Sequence, residues 1–178
     1  LNHIFYKKLK LMLGGCVHLL TASSAVLALY GFDAVLKQDF RLVLIILVVT
    51  IILDAIDGPL ARFFRGKENI PNFDGALLDY IVDFVSWGVL PAFVVLQSEF
   101  LSPRWRVIVA ITIVLSSCYQ FCCTDLKDKT STFKRWPSAW SIVVICLFLW
   151  TPSFYVSLSS IFLLALFSFV PVFFIHSL

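Results

Sequence analysis

Charged side chains are scarce in this sequence. Lysine, arginine, aspartate and glutamate make up 14% of its 178 residues, and the formal net charge is only +3. A net charge this small does not indicate a nucleic-acid partner. Apolar residues make up 60%, against the roughly 45–50% that is usual in soluble domains. A soluble protein cannot hide that much apolar surface, so the composition favours a membrane protein.

Cysteine is present, but not in a pattern typical of disulfides. The count is odd, and all five lie inside or at the ends of apolar segments: Cys16, Cys118, Cys122, Cys123 and Cys146. Such positions indicate small apolar packing residues and argue against a disulfide framework. The sequence also lacks internal repeats and low-complexity tracts. We therefore expect residues 1–178 to form a single domain.

Long apolar runs are what the sequence has in abundance. Several approach or exceed the roughly 18 residues that a membrane-spanning helix needs. We predict an all-α, polytopic membrane protein with about six transmembrane helices, at 11–31, 42–62, 73–97, 106–123, 138–151 and 154–176. The fifth run is short for a span, so we expect it to be tilted or partly buried in protein.

The loops between these runs differ in their basic residues. If the N-terminus is cytoplasmic, ten of the lysines and arginines fall on one side of the membrane and only four on the other. Cytoplasmic loops normally carry the excess of lysine and arginine. The distribution therefore places the N-terminus, the 63–72 loop and the 124–137 loop in the cytoplasm.

Four aspartates lie where charge is unfavourable. Asp54 and Asp57 close the second apolar run, and Asp79 and Asp83 lie within the third. A carboxylate at membrane depth costs several kcal/mol unless it is paired, solvated or bound to metal. Four such residues within thirty positions of the sequence indicate a functional site.

The spacing of these aspartates predicts that they meet. Asp54 and Asp57 share one helical face, and Asp79 and Asp83 share another, because residues three or four apart are neighbours on a helix. Two antiparallel helices joined by a cytoplasmic loop would bring the faces together. Divalent cations would neutralise the clustered charge, and hard oxygen ligands favour Mg²⁺ or Mn²⁺, with two ions expected. Small residues on the same faces would leave a groove for a bulky ligand: Gly58, Ala61 and Gly75.

Two other interpretations compete with a metal site. Small residues at four-residue spacing often mean only close helix packing, which is an equally good explanation for Gly75 alone. Membrane carboxylates also serve as cation paths in transporters. Neither explains the whole pattern as well, because packing needs no buried charge and a transporter would need polar groups in both halves of the membrane.

The aspartate pattern resembles the signature of the CDP-alcohol phosphatidyltransferase family. The resembling string is Asp54-x-x-Asp57-Gly58-x-x-Ala61-Arg62, followed by Gly75-x-x-x-Asp79-x-x-x-Asp83. The spacer from Phe63 to Asp74 is longer than in the commonest form of the signature. Its length resembles that of the spacer in the branch that makes phosphatidylcholine. Val17 to Ser23 and Tyr119 to Phe121 also resemble that branch, as does the stretch Phe133 to Ser141. In that stretch Arg135 and Ser141 replace an expected Gly and Asn.

The resemblance implies an activity, in which CDP-diacylglycerol and choline give phosphatidylcholine and CMP. It implies that Asp54, Asp57 and Asp79 hold the metal ions, with Asp83 helping and also acting as general base. The CDP-diacylglycerol site would comprise Gly58, Ala61, Arg62, Gly75 and Thr21. It further implies a bacterial inner-membrane protein whose active site faces the cytoplasm. Members of this branch continue into further hydrophobic segments, so we expect this chain to lack C-terminal helices.

The acceptor alcohol is less constrained by the pattern. Choline carries a quaternary ammonium, which aromatic faces bind well, and Tyr80, Trp136 and Trp140 are candidates. Serine, glycerol phosphate and inositol phosphate remain alternatives within the family. Anionic acceptors need a cluster of cationic side chains, and the helices offer few beyond Arg62 and Arg65, which favours choline. The sequence leaves a homodimer open as the oligomeric state.

Overall fold

The fold is all-helical in the part of the chain that the structure, a computed structural model, describes. That part comprises residues 2–64, 73–123 and 139–169. The helices are α1 Asn2–Leu36, α2 Phe40–Phe64, α3 Gly75–Asp83, α4 Leu90–Gln97, α5 Pro103–Cys122, α6 Trp140–Trp150 and α7 Phe154–Phe169. A π-helical segment, Phe84–Val89, joins α3 to α4 without a break. The all-α class is confirmed, and each of the six predicted spans contains a helix.

Within the described residues, three helical stretches are long and apolar enough to cross a membrane. They are Gly14–Leu36, Gly75–Gln97 and Pro103–Cys122, and α6 and α7 are shorter apolar helices. The chain is therefore a polytopic membrane protein. As expected for the fifth run, α6 is short: its 11 residues rise about 16 Å.

A tight turn joins α1 to α2. Gln38 has a φ of 59°, in the left-handed region that reverses the chain direction. The carboxylate of Asp39 then accepts a hydrogen bond from the backbone N–H of Leu42, 3.0 Å away, at the start of α2. This cap fixes the beginning of α2, and α1 packs along α2 for much of its length.

The start of α3 is fixed by Asp74. Its side chain accepts hydrogen bonds from the backbone N–H groups of Ala76 and Leu77, at 3.0 and 3.1 Å. A side chain that satisfies free N–H groups at a helix start typically contributes about 1 kcal/mol. Asp74 is thus the cap that begins the helix carrying Asp79 and Asp83.

The apolar core lies where α1, α2 and α4 to α7 meet. Its fully buried side chains include Leu47, Leu90, Val94, Ile113 and Val144. Large apolar side chains such as Leu29, Ile52 and Leu115 are exposed on the outside, as they must be when lipid is the solvent. α1 packs against both α2 and α3, which brings their aspartate-bearing segments together.

Candidate active site

Three carboxylates converge between α2 and α3. One oxygen from each of Asp54, Asp57 and Asp79 lies within 4.8 Å of the others. Asp57 is only 6% exposed, and the other two are half-buried. The convergence predicted from the spacing is therefore observed.

Asp83 lies beside this group, one turn further along α3 than Asp79. Its side chain is within hydrogen-bonding reach of Asp54 and close enough to Asp57 and Asp79 to interact electrostatically with both. The structure thus gathers all four aspartates. Their roles stay predictions.

The donor set fits divalent cations. Two unit negative charges no more than 4.8 Å apart repel by at least about 3 kcal/mol at an effective dielectric constant of about 20. Carboxylate oxygens are the ligands that Mg²⁺ and Mn²⁺ prefer. A pocket lined by clustered carboxylates can therefore hold such an ion without sulfur or imidazole ligands. Asp54, Asp57 and Asp79 are the candidate ligands.

Thr21 on α1 is hydrogen-bonded to this cluster. Its hydroxyl donates to Oδ2 of Asp57 at 2.8 Å. The hydroxyl oxygen of Thr21 also lies 3.3 Å from the carbonyl oxygen of Val17. A hydroxyl donor fixes the orientation of the carboxylate that it contacts, as partners of metal-ligating groups commonly do. The resemblance implies a contact between Thr21 and the nucleotide, and the structure places the residue against a candidate metal ligand.

His18 closes the α1 side of the site. The imidazole is 8% exposed and lies against Gly75, where an added β-carbon would overlap the ring and approach Nδ1 to 3.0 Å. The ring of Phe73 also packs on it, with ring centroids 4.7 Å apart. The side chain of His18 therefore fills the space that Gly75 leaves open.

A small pocket opens between these groups. Its volume is about 20 Å³, enough for one water molecule. The lining residues come from α1, α2 and α3 and are Val17, His18, Thr21, Asp57, Gly58, Gly75 and Asp79. A nucleotide is far larger, so binding one here requires side chains such as His18 to move.

Replacing Gly75 with alanine tests what the glycine accommodates. The added methyl group should strike His18 and lower the free energy of unfolding by about 1–3 kcal/mol, as overpacking does. The double variant Gly75→Ala/His18→Ala should recover most of that loss, because the clashing ring is gone. Thermal unfolding of the purified protein measures both effects.

Gly15→Ala is the matched control, since nothing lies within 4 Å of a β-carbon at that position of α1. If the double variant is as unstable as Gly75→Ala alone, the contact with His18 does not explain the glycine. If it is stable but cannot bind CDP-diacylglycerol, Gly75 is needed for the ligand as well.

The other residues proposed from the sequence lie in different surroundings. Gly58 lines the pocket. Ala61 and Arg62 lie on the last turns of α2, and their side chains fall outside the described part of the structure. Tyr80 is 47% exposed on α3. Trp136 lies outside the described residues, whereas Trp140 is almost fully buried at the start of α6.

Sequence reasoning missed a set of buried polar side chains outside the carboxylate cluster. Ser86 and Gln120 are buried, and each has a side-chain oxygen without a hydrogen-bond partner among the described residues. A signal was available, since Ser116, Ser117 and Gln120 lie close together after the apolar run Ile113–Leu115 of α5. Polar residues inside membrane helices face protein or cavities more often than lipid.

Comparison with known proteins identifies the family that this sequence matches. The model of the CDP-alcohol phosphatidyltransferase family matches residues 17–174. The phosphatidylcholine synthase of Borreliella burgdorferi is 34% identical over 170 residues, which cover 96% of this chain and 73% of that protein. The phosphatidylcholine synthase of Mesorhizobium japonicum is 36% identical over 160 residues, covering 90% of this chain and 60% of the relative. The Legionella pneumophila phosphatidylcholine synthase is 32% identical over 161 residues, covering 90% and 63% respectively.

Proposed function

The chain belongs to the CDP-alcohol phosphatidyltransferase family, and on that premise we propose that it makes phosphatidylcholine from CDP-diacylglycerol and choline, releasing CMP. The relatives named above carry the name phosphatidylcholine synthase. This chain spans about three-fifths of the length of two of them. The observation that carries the proposal is the cluster of Asp54, Asp57 and Asp79 oxygens within 4.8 Å, with Asp83 beside it.

Asp54, Asp57 and Asp79 would hold divalent cations, Mn²⁺ or Mg²⁺, with Asp83 contributing to a two-ion site. Bound cations would supply charge neutralisation for the diphosphate of CDP-diacylglycerol. Thr21 orients Asp57 through the 2.8 Å hydrogen bond. The two helices hold the carboxylates in place before the substrate arrives, which avoids the cost of gathering four like charges during the reaction.

Asp83 is the proposed general base. It accepts the hydroxyl proton of choline as that oxygen attacks the phosphorus that carries diacylglycerol. The new P–O bond joins choline to the lipid phosphate, and the bond between that phosphorus and the oxygen of CMP breaks. CMP leaves with the electron pair.

The nucleotide side of the substrate would lie toward α1 and the end of α2. We propose that Arg62 holds the diphosphate and that Gly58, Ala61 and Gly75 make room for the cytidine. Arg62 provides two parallel N–H donors, which suit phosphate oxygens. The contact between His18 and Gly75 means that the cytidine would displace the imidazole from its present position.

For choline, the aromatic candidates are Tyr80, Trp136 and Trp140. The exposed position of Tyr80 favours a role at the membrane interface over a binding role, whereas Trp140 is enclosed by protein. A second candidate function keeps the reaction and changes the alcohol to serine, glycerol phosphate or inositol phosphate. A cation transporter is disfavoured, because α2 between Arg41 and Asp54 contains no charged residue and so offers no path through that half of the helix.

The positive-inside distribution supports an active site at the cytoplasmic face. We propose a bacterial inner membrane as the location, since the relatives named above come from bacteria. A homodimer is the candidate oligomeric state.

Membranes that contain the protein, incubated with CDP-diacylglycerol, labelled choline and Mn²⁺, test the proposal directly. Labelled phosphatidylcholine is the expected product. Product from serine, glycerol phosphate or inositol phosphate, but none from choline, would change the acceptor alcohol assigned to the protein and leave the family reaction in place. A folded protein that binds divalent cation yet transfers to no alcohol would contradict the proposed activity.

A further inference from the structure

The π-helical segment leaves one backbone carbonyl without its usual helical donor. In an α-helix, the N–H of Leu90 would bond to the carbonyl of Ser86, four residues earlier. That N–H bonds instead to the carbonyl of Val85, five residues earlier. The next residue along the chain is Pro91, which has no N–H to donate. The carbonyl of Ser86 therefore lacks the donor that either an α-helix or a π-helix would give it.

Ser141, on the first turn of α6, supplies the missing donor. Its hydroxyl donates to the carbonyl of Ser86 at 2.9 Å, across 55 positions of the sequence. Both residues are buried, with exposures of 1% for Ser141 and 2% for Ser86. A buried carbonyl without a donor is costly, and lipid cannot take the place of water as its partner. The bond from α6 therefore stabilises the π-helical register, in which the N–H of Leu90 is committed to Val85.

The π-helical segment also packs closely on α5. A β-carbon at Gly88 would lie 2.8 Å from the β-carbon of Ser117, which is closer than real β-carbons approach. The rings of Phe84 and Phe121 meet edge to face, with centroids 6.2 Å apart. These apolar contacts set how near the segment lies to α5, but they offer no donor to the carbonyl of Ser86. The hydrogen bond from Ser141 is what favours the π-helical register over the α-helical one.

The register of this segment bears directly on Asp83. Asp83 is the last residue of α3, and the π-helical segment begins at the next position. The start of α3 is fixed by the Asp74 cap, and α4 is fixed in the core by the fully buried Leu90 and Val94. A π-helical turn holds more residues than an α-helical turn, so its register decides how the end of α3 is placed relative to α4. Asp79 lies one turn nearer the capped end, so a change of register moves Asp83 most.

We propose that Ser141 is a positioning residue: its hydroxyl fixes the π-helical register and thereby the placement of the Asp83 carboxyl beside the other three aspartates. The inference rests on the proposed function, in which Asp83 takes the proton of choline. Ser141 acts through the carbonyl of Ser86 and needs no contact with substrate. A small displacement of a reacting group can slow a reaction greatly, which is why a distant hydroxyl affects turnover.

Ser141→Ala tests this role in membranes that contain the full chain. The kcat for choline transfer should fall about tenfold, because Asp83 is no longer held in place. The KM for CDP-diacylglycerol and the Mn²⁺ concentration for half-maximal activity should change by less than about twofold, because the other aspartates stay in position. Ser116→Ala is the matched control and should keep the wild-type kcat, since that buried hydroxyl donates at 3.0 Å to the carbonyl of Ile113 within its own helix.

Two further variants return a donor to the Ser86 carbonyl. Ser141→Thr keeps the hydroxyl in place. The double variant Ser141→Ala/Pro91→Ala instead creates a backbone N–H five residues beyond Ser86, where a π-helical bond to the same carbonyl can form. At least one of the two should restore most of the kcat lost in Ser141→Ala, a recovery that loss of packing alone does not predict. If neither restores it, the hydrogen bond does not explain the effect of Ser141.

The outcomes separate the positioning role from the reaction. An active wild-type protein whose Ser141→Ala variant keeps its kcat disproves the role of Ser141. An equal loss of kcat in Ser116→Ala, or a Ser141→Ala protein that is unfolded by thermal measurement, also disproves it, since the hydroxyl then serves stability alone. If the wild-type protein uses another alcohol, the same selective fall in kcat with that alcohol supports the role. Wild-type protein that transfers to no alcohol overturns the proposed function and the positioning role together.

Discussion

Replacing Asp83 with asparagine should abolish phosphatidylcholine formation while leaving CDP-diacylglycerol binding largely intact. The amide has the shape of the carboxyl group but cannot accept the choline proton, and loss of a general base typically slows a reaction by about 10²–10⁴-fold. Asp54, Asp57 and Asp79 remain in place to hold the diphosphate side of the substrate. Turnover with labelled choline and equilibrium binding of labelled CDP-diacylglycerol measure the two effects on the same membranes.

Asp33→Asn is a suitable control for this variant. Asp33 is an exposed carboxylate at the opposite end of α1, where it pairs with Lys37, and its replacement should leave turnover unchanged. Near-normal turnover by Asp83→Asn would mean that another group accepts the proton. Loss of substrate binding along with turnover would instead indicate that Asp83 acts chiefly through the metal site.

Removal of divalent cations should stop the reaction completely, and added Mn²⁺ or Mg²⁺ should restore it. The reason is the charge of the site: the aspartates cannot attract a diphosphate until their own charge is neutralised. Thr21→Val should then raise the Mn²⁺ concentration needed for half-maximal activity by about 10–100-fold, the usual effect of losing a partner that orients a metal ligand. Titration of chelated membranes with Mn²⁺ measures both expectations.

Thr112→Val provides the comparison for Thr21→Val. The hydroxyl of Thr112 on α5 donates to a carbonyl of its own helix, that of Ile108 at 2.8 Å, so the substitution should leave the Mn²⁺ requirement unchanged. Activity that persists in excess chelator would contradict the metal site altogether. An unchanged Mn²⁺ requirement in Thr21→Val would remove Thr21 from the metal site and leave the aspartates as candidates.

The helical architecture and the meeting of the aspartates could be predicted from the sequence because both follow from local pattern. Apolar run length determines which segments are membrane helices. The three- and four-residue spacing of Asp54, Asp57, Asp79 and Asp83 places each pair on one helix face. A short loop between the two helices then leaves few ways to arrange those faces. These features require no knowledge of any other helix.

The remaining features of the site depend on contacts between distant parts of the chain. Thr21 and Asp57 are 36 positions apart, and nothing local to either residue indicates their hydrogen bond. The sequence shows that Gly75 is small, but only the structure shows that His18 occupies the space beside it. The sequence offers Trp140 as a choline candidate, but only the structure shows that packing of α6 against α2, α4 and the π-helical segment buries it. The π-helical turn itself has no signature in residues Phe84–Val89.

The length of α6 has a consequence for the surrounding lipid. A rise of about 16 Å covers only about half of a hydrocarbon layer roughly 30 Å thick. Thr151 and Ser153 are polar, exposed residues that follow α6. In a bilayer of ordinary thickness they would lie at the depth of the acyl chains. A bilayer that thins beside α6 would relieve the mismatch. Short-chain lipids should therefore favour the native fold over long-chain lipids, which makes the acyl-chain composition of the host membrane a determinant of this protein's stability.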